Sequence, residues 1–260
     1  MGTKERTTPP KISVRIWRRL LDRVEAKFEA ACLRRDAYLS RVLEVELEHL
    51  DREVSIPNSQ ASYDYVFETL DRFDRKLVSL ALPTHLTTRI NEICQRKRIV
   101  RDAFFNRFFL LLVAPPALID QLYFPFADEW DWRADVRRQF NDMPEIFEPL
   151  FRPLTTEIDP FWALRQGVEI VAKDEKVEPY QEPESGATVL VRRSENDGFE
   201  PSTSVYTTVF QQKMSGEGDL VGLSCHLPDW KIPDHPAERE YREKSEDFWR
   251  TLGLGVEEQS

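Results

Sequence analysis

Residues 11–43 read KISVRIWRRLLDRVEAKFEAACLRRDAYLSRVL, and residues 77–109 read LVSLALPTHLTTRINEICQRKRIVRDAFFNRFF. Aligned at an offset of 66, seven of the 33 positions are identical: Ser13/Ser79, Leu20/Leu86, Arg23/Arg89, Arg35/Arg101, Asp36/Asp102, Ala37/Ala103 and Arg41/Arg107. Pairs such as Ile12/Val78, Val14/Leu80, Val24/Ile90, Tyr38/Phe104 and Ser40/Asn106 conserve character. A repeat of this kind makes each copy one supersecondary unit that needs its neighbour to bury its apolar side. Each copy opens with alternation. Ile12, Val14 and Ile16 alternate with Lys11, Ser13 and Arg15, and Val78, Leu80 and Leu82 alternate with Leu77, Ser79 and Ala81. Period two predicts a half-buried strand.

The period then changes. Leu20, Leu21, Val24, Phe28 and Ala31 lie at helical spacing, as do Leu86, Ile90 and Ile93 behind Pro83, which is placed in the first turn. Breaks are predicted at Leu33–Arg34 and Ile99–Val100. Second helices begin at Arg35 and Arg101, with Asp36 and Asp102 where the helix dipole favours an acid. Their apolar stripes are Tyr38, Leu39, Val42, Leu43 and Val45 in one copy, and Phe104, Phe105, Phe108, Phe109 and Leu111 in the other. Pro57-Asn58-Ser59 marks a turn between the copies, and Tyr63, Phe67 and Leu70 suggest a linker helix.

Strand, helix, short turn and helix, twice over, resembles the ribbon-helix-helix family of DNA-binding domains across residues 11–50 and 77–115. One such unit is too small to bury its own core. Members of the family pair two units, and their strands form an antiparallel ribbon. The resemblance therefore implies a tandem, single-chain version of that pair, with residues 51–76 as the linker. A two-stranded ribbon fits the major groove, where base edges are distinguishable. The outward positions would be Lys11, Ser13 and Arg15 in the first copy and Ser79 in the second. Lys and Arg suit guanine acceptors, and Ser is tolerant. The resemblance also assigns phosphate anchoring to the start of the second helix, where Arg34, Arg35 and Arg101 stand. Two departures matter. The second strand offers Leu77 and Ala81 beside Ser79, and Arg34 or Val100 opens the second helix where the family usually has a small hydroxyl residue. Either the first copy dominates the reading, or the fold persists with weakened DNA binding.

Charge divides the chain. Residues 1–115 hold 21 Lys+Arg against 16 Asp+Glu, and residues 116–260 hold 15 against 30, so a basic half precedes an acidic one. Such asymmetry suggests two domains, 1–115 and 116–260, with different partners. In the second half, Leu118–Phe126, Trp130–Phe140 and Ala237–Leu252 read as helices. Ala187–Arg192, Ser204–Gln211 and Leu220–Leu227 read as strands of an antiparallel meander, separated by turn clusters at Ser194–Gly198 and Ser215–Asp219. The expected class is α+β. Trp130, Trp132 and Trp162 could anchor an interface, so this half could join two chains as a homodimer, sense an effector, or hold a protein partner.

Several classes are excluded. No glycine lies between Gly2 and Gly167, which removes a P-loop or dinucleotide loop from the first 160 residues. No run of eighteen apolar residues suggests a membrane span, and MGTKERTTPP lacks the apolar core of a secretory signal. Three cysteines without CxxC spacing favour a reducing cytoplasm. Cys32 and Cys94 read as core filling. Cys225-His226 with His235, assisted by Asp229 or Asp234, matches no zinc spacing, and Glu145, Glu148, Asp128 and Asp131 read as solvated carboxylates. No enzyme, metal or cofactor is expected. The function expected is a sequence-specific regulator of double-stranded DNA, repressor-like. The alternative is an antitoxin-like or adaptor protein whose acidic half binds a protein partner.

Overall fold

In a computed structural model, the residues described are 11–124, 149–155, 158–172, 176–181, 186, 188–193, 199–213 and 218–251. The chain begins with β1 (Lys11–Trp17), α1 (Arg18–Ala30) and α2 (Arg35–Glu53), crosses through α3 (Gln60–Asp71), and repeats the pattern in β2 (Arg75–Ala81), α4 (Thr84–Lys97) and α5 (Arg101–Val113). The strands pair antiparallel about a centre at Ser13↔Ser79, with Lys11↔Ala81 and Arg15↔Leu77 flanking it. Ile12, Val14, Ile16, Val78 and Leu80 turn inward and are buried. The alternation therefore sets the register: a one-residue slip would move every one of these side chains into water.

The repeat extends to the backbone. Both first helices end on a non-glycine residue in the left-handed region, Cys32 (φ 54°) and Arg98 (φ 48°), at positions 66 apart in the chain. Cys32 belongs to this turn and is exposed, so it does not fill the core; Cys94, on α4, is buried as expected. Pro83 lies just before α4 as its N-cap, one position outside the helix. Ser59 caps α3 by accepting from Ser62 N (3.0 Å).

After Val113 come α6 (Pro116–Tyr123), a helical turn at Arg152–Thr155, and α7 (Trp162–Ala172). A three-stranded antiparallel sheet follows, β3 (Val177–Gln181), β4 (Thr188–Arg193) and β5 (Phe199–Pro201), in the order β3-β4-β5. Two 3-10 turns, Leu220–Leu223 and Asp229–Lys231, lead to α8 (Pro236–Thr251). The mixed helix-and-sheet class stands, with small antiparallel sheets, and β4 matches the first expected strand, whereas its partners β3 and β5 fall outside the expected meander. The other two expected strands do not form. Ser204–Gln211 folds into a turn in which Thr208 Oγ1 donates to Ser204 O (2.6 Å) and Ser204 N donates to Thr207 Oγ1 (2.8 Å). Hydroxyls here supply the partners that a neighbouring strand would have supplied. Leu220–Leu227 opens as a 3-10 turn capped by Asp219, which accepts from Val221 N (3.0 Å). The expected helix at Trp130–Phe140, and the carboxylates Asp128, Asp131, Glu145 and Glu148, lie outside the described residues. So do Trp130, Trp132 and the turn cluster Ser194–Gly198.

The change of composition at residue 115 is not a gap in the packing. One cluster of buried side chains runs from Ile12, Leu47 and Phe108 to Leu150, Phe161, Tyr206, Phe210 and Leu227. Asn58 ties the ends together. Its Nδ2 donates to Arg98 O (3.0 Å) and Cys225 O (2.9 Å), while its Oδ1 accepts from Leu227 N (2.9 Å). Gly222 lies against the backbone of α3, where an added Cβ would sit 2.8 Å from Leu70 N. Backbone cannot yield as a side-chain tip can, so Gly222→Ala is expected to cost roughly 1–2 kcal/mol, read as a lower urea midpoint at unchanged slope. Among the described residues, no helix is long and apolar enough to cross a membrane.

Candidate nucleic-acid interface

The β1–β2 pair has one buried face and one open face. On the open face Lys11, Ser13 and Arg15 of β1 and Leu77 and Ser79 of β2 are exposed, and Ala81 is half-buried. Leu77 is 63% exposed. All four expected base-reading residues thus share one surface.

The identical residues of the repeat brace this surface from behind. Arg35 Nη2 donates to Ser79 O (3.1 Å), and its repeat mate Arg101 donates to Ser13 O (2.9 Å). Asp36 Oδ2 accepts from Ala81 N (3.0 Å), and Asp102 accepts from the backbone of Arg15. Each second helix therefore grips the opposite copy's strand, and the pattern obeys the pseudo-two-fold through Ser13 and Ser79. Arg35 and Arg101 stand where phosphate anchors were expected, yet part of each guanidinium holds a strand carbonyl. Arg34 is exposed at the start of α2. Neither α2 nor α5 has a side-chain cap on its first turn.

Symmetry fails where it has a local cause. Asn106 Oδ1 accepts from Trp17 N (2.8 Å), and its Nδ2 donates to Arg15 O (2.9 Å). The repeat mate of Trp17 is Pro83, which has no N–H to satisfy, and the mate of Asn106 is the shorter Ser40. Arg41 and Arg107 diverge further. Arg41 is exposed. Arg107 is fully buried, donating to Val205 O (2.9 Å), Thr208 O (2.8 Å) and Tyr123 Oη (3.2 Å), with Phe210 stacked at 4.1 Å. The acidic stretch thus docks on the second copy through an arginine that the repeat itself supplied.

A second polar cluster went unread in the sequence. Glu46, His49 and Glu53 share one face of α2 and meet Asp159, Arg165 and Tyr206. Arg165 donates to Glu46 Oε2 (2.7 Å) and Asp159 Oδ2 (3.0 Å) and also pairs with Glu53. Tyr206 N donates to Glu53 Oε2 (2.9 Å), and its hydroxyl donates to Glu46. Burial pushes the Glu46 carboxyl up to about 8, with Asp159 adding to the rise and Arg165 and Tyr206 opposing it. Glu46, His49 and Asp159 could place ligand atoms within 4.8 Å of one another. The Arg165 guanidinium already bonds both carboxylates, so the counter-charge is built in and the cluster reads as structural. The Glu-x-x-His spacing was the available signal, but only a tertiary partner buries it.

Cys225 and His226 are both buried and gather no metal set with His235 among the described residues. Burial raises the Cys225 thiol to about 12 and lowers His226 to about 4. In comparisons with known proteins, no family model matches this chain, and no curated protein or solved structure is significantly similar to it.

Proposed function

We propose that the chain is a double-stranded DNA-binding transcriptional regulator, repressor-like, that lays the β1–β2 pair into the major groove in the manner of ribbon-helix-helix domains. The observation that carries this is the exposed strand face bearing Lys11, Ser13, Arg15 and Ser79 on a buried, braced reverse side. A two-stranded ribbon is one of the few elements that the major groove admits. The uncapped starts of α2 and α5, near Arg34, Arg35 and Arg101, supply free N–H groups and positive charge for phosphates on either side.

The supporting frame is nearly symmetric, whereas the reading face is not. Each end of the pair carries one cation and one apolar residue, Lys11 beside Ala81 and Arg15 beside Leu77. Lys and Arg suit guanine, and apolar side chains suit the thymine methyl. The preferred site is therefore non-palindromic, with guanines and thymines differently placed in its two halves. Arg15→Ala is expected to lose about 1–3 kcal/mol of specific binding and to relax the choice of base at one position. The test is selection of sites from randomised duplex by the full chain, followed by a salt series. Failure to select any site, or unchanged affinity in Arg15→Ala, sinks the proposal. The sheet β3-β4-β5 exposes Val177 and Leu190 on one face, the apolar surface that association through the C-terminal half would use, and Phe199 on the other.

A further inference from the structure

A cavity of about 340 Å³ lies between the end of α6, the 199–212 segment and the stretch 226–231, away from the strand pair. That volume falls in the range of small-molecule sites. Its walls combine apolar groups, Leu122, Tyr123 and Val209, with a set of charges, Arg192, Glu200 and Lys231. His226 also lines it, is only 6% exposed, and has no hydrogen-bond partner on either ring nitrogen. A neutral imidazole carries one donor and one acceptor, and leaving both unpaired in the interior is costly. Gln212 repeats the pattern: its Nε2 donates to Gln121 O (2.7 Å), while its buried Oε1 is unpartnered. Buried polar groups in folded proteins are nearly always satisfied, so two such residues on one cavity call for a partner that the described residues do not supply.

The charges say what that partner carries. Glu200 is already engaged, accepting from Trp230 Nε1 and pairing with Arg192. Lys231 stacks over the Trp230 ring at 5.0 Å and has no ion pair among the described residues. Among the described residues that line the pocket, two cations face one carboxylate, an excess of one positive charge. We propose that this cavity binds a small organic monoanion, a carboxylate with a neighbouring hydrogen-bonding group. Lys231 faces the carboxylate, and His226 and Gln212 face the polar substituent. Its position gives the C-terminal half a ligand-sensing role independent of whether the strand pair binds DNA. One wall is also held by α5, because Thr208 lines the cavity and its carbonyl accepts from Arg107.

Salicylate is a suitable probe, since it carries a carboxylate beside a hydroxyl, and salicylamide is its uncharged control. Calorimetric titration of the full chain should show saturable binding of salicylate, with salicylamide at least roughly tenfold weaker. Lys231→Met should lose about tenfold in affinity while melting at the same temperature without ligand. The His226 ring ¹⁵N resonances should shift on addition of salicylate, a response that a purely structural histidine would not give. Absence of binding up to about 10 mM salicylate, or equal affinity in Lys231→Met and wild type, would overturn the proposal.

Discussion

Arg107→Ala is expected to cost about 3–5 kcal/mol of stability, and Arg41→Ala, at the matching position of the other copy, less than about 0.5 kcal/mol. The two residues occupy the same place in the repeat but opposite environments. Removing Arg107 leaves the Thr208 carbonyl without its donor, leaves Val205 O with the Tyr123 hydroxyl alone (2.8 Å), and empties the space beside Phe210. Each buried acceptor left unpaired costs about 1–3 kcal/mol, and the cavity adds to that. Arg41 is exposed and its removal uncovers nothing. Urea unfolding of the two variants is the comparison to make. Similar losses in both would mean that the acidic stretch does not depend on Arg107 for its seat.

Arg165→Met is expected to cost a comparable amount, about 3–5 kcal/mol, because it strands buried carboxylates without their cation. Glu53 and Asp159 pair with that one guanidinium, which also bonds Glu46 Oε2. The loss should be smaller at acid pH, where the carboxylates can take up protons. The wild type has its own signature. Glu46 is raised from 4.5 to about 8, so the folded state holds a proton that the unfolded state has released, and stability falls as pH rises through that window. His49 and His226 are lowered from 6.5 to about 4, so their contribution is lost as pH falls through that range. Two opposing slopes below 6.5 and one above it place the maximum near pH 6.5. Between pH 6.5 and 8 the wild type should lose about 2 kcal/mol, and Glu46→Gln should flatten that decline. A decline unchanged in Glu46→Gln would assign it to another group.

The strand–helix–helix units were legible because their signals are local. Alternation in Ile12, Val14 and Ile16 needs no partner to be read, and the 66-residue offset repeats it. The remainder depended on contacts remote in sequence. Ser204–Gln211 has the β-branched residues of a strand, but Arg107 takes the carbonyls of Val205 and Thr208, the segment's own hydroxyls take the N–H groups of Ser204 and Thr207, and Glu53 takes that of Tyr206. Glu46 and His49 look like the wet side of α2 until Arg165, 119 residues after Glu46, arrives to cover them. The four expected base-reading positions needed only the strand period, so they fell on one face. The roles of Arg35 and Arg101 needed the register of the pair, which fixes whose carbonyl each one reaches.

Joining both strands in one chain changes the mass action of whatever the pair does. Two separate chains must find each other before a ribbon exists, and dilution pulls them apart. Here β1 and β2 are tethered through α2 and α3, so their pairing is unimolecular and its effective concentration does not vary with the amount of protein. Occupancy of a target by this unit would follow concentration to the first power, without the threshold that dimerisation imposes. The tether also frees each copy to vary alone. An identical-chain dimer must carry every substitution twice, whereas here Arg15 could face Leu77 without a second Arg arising at Ala81.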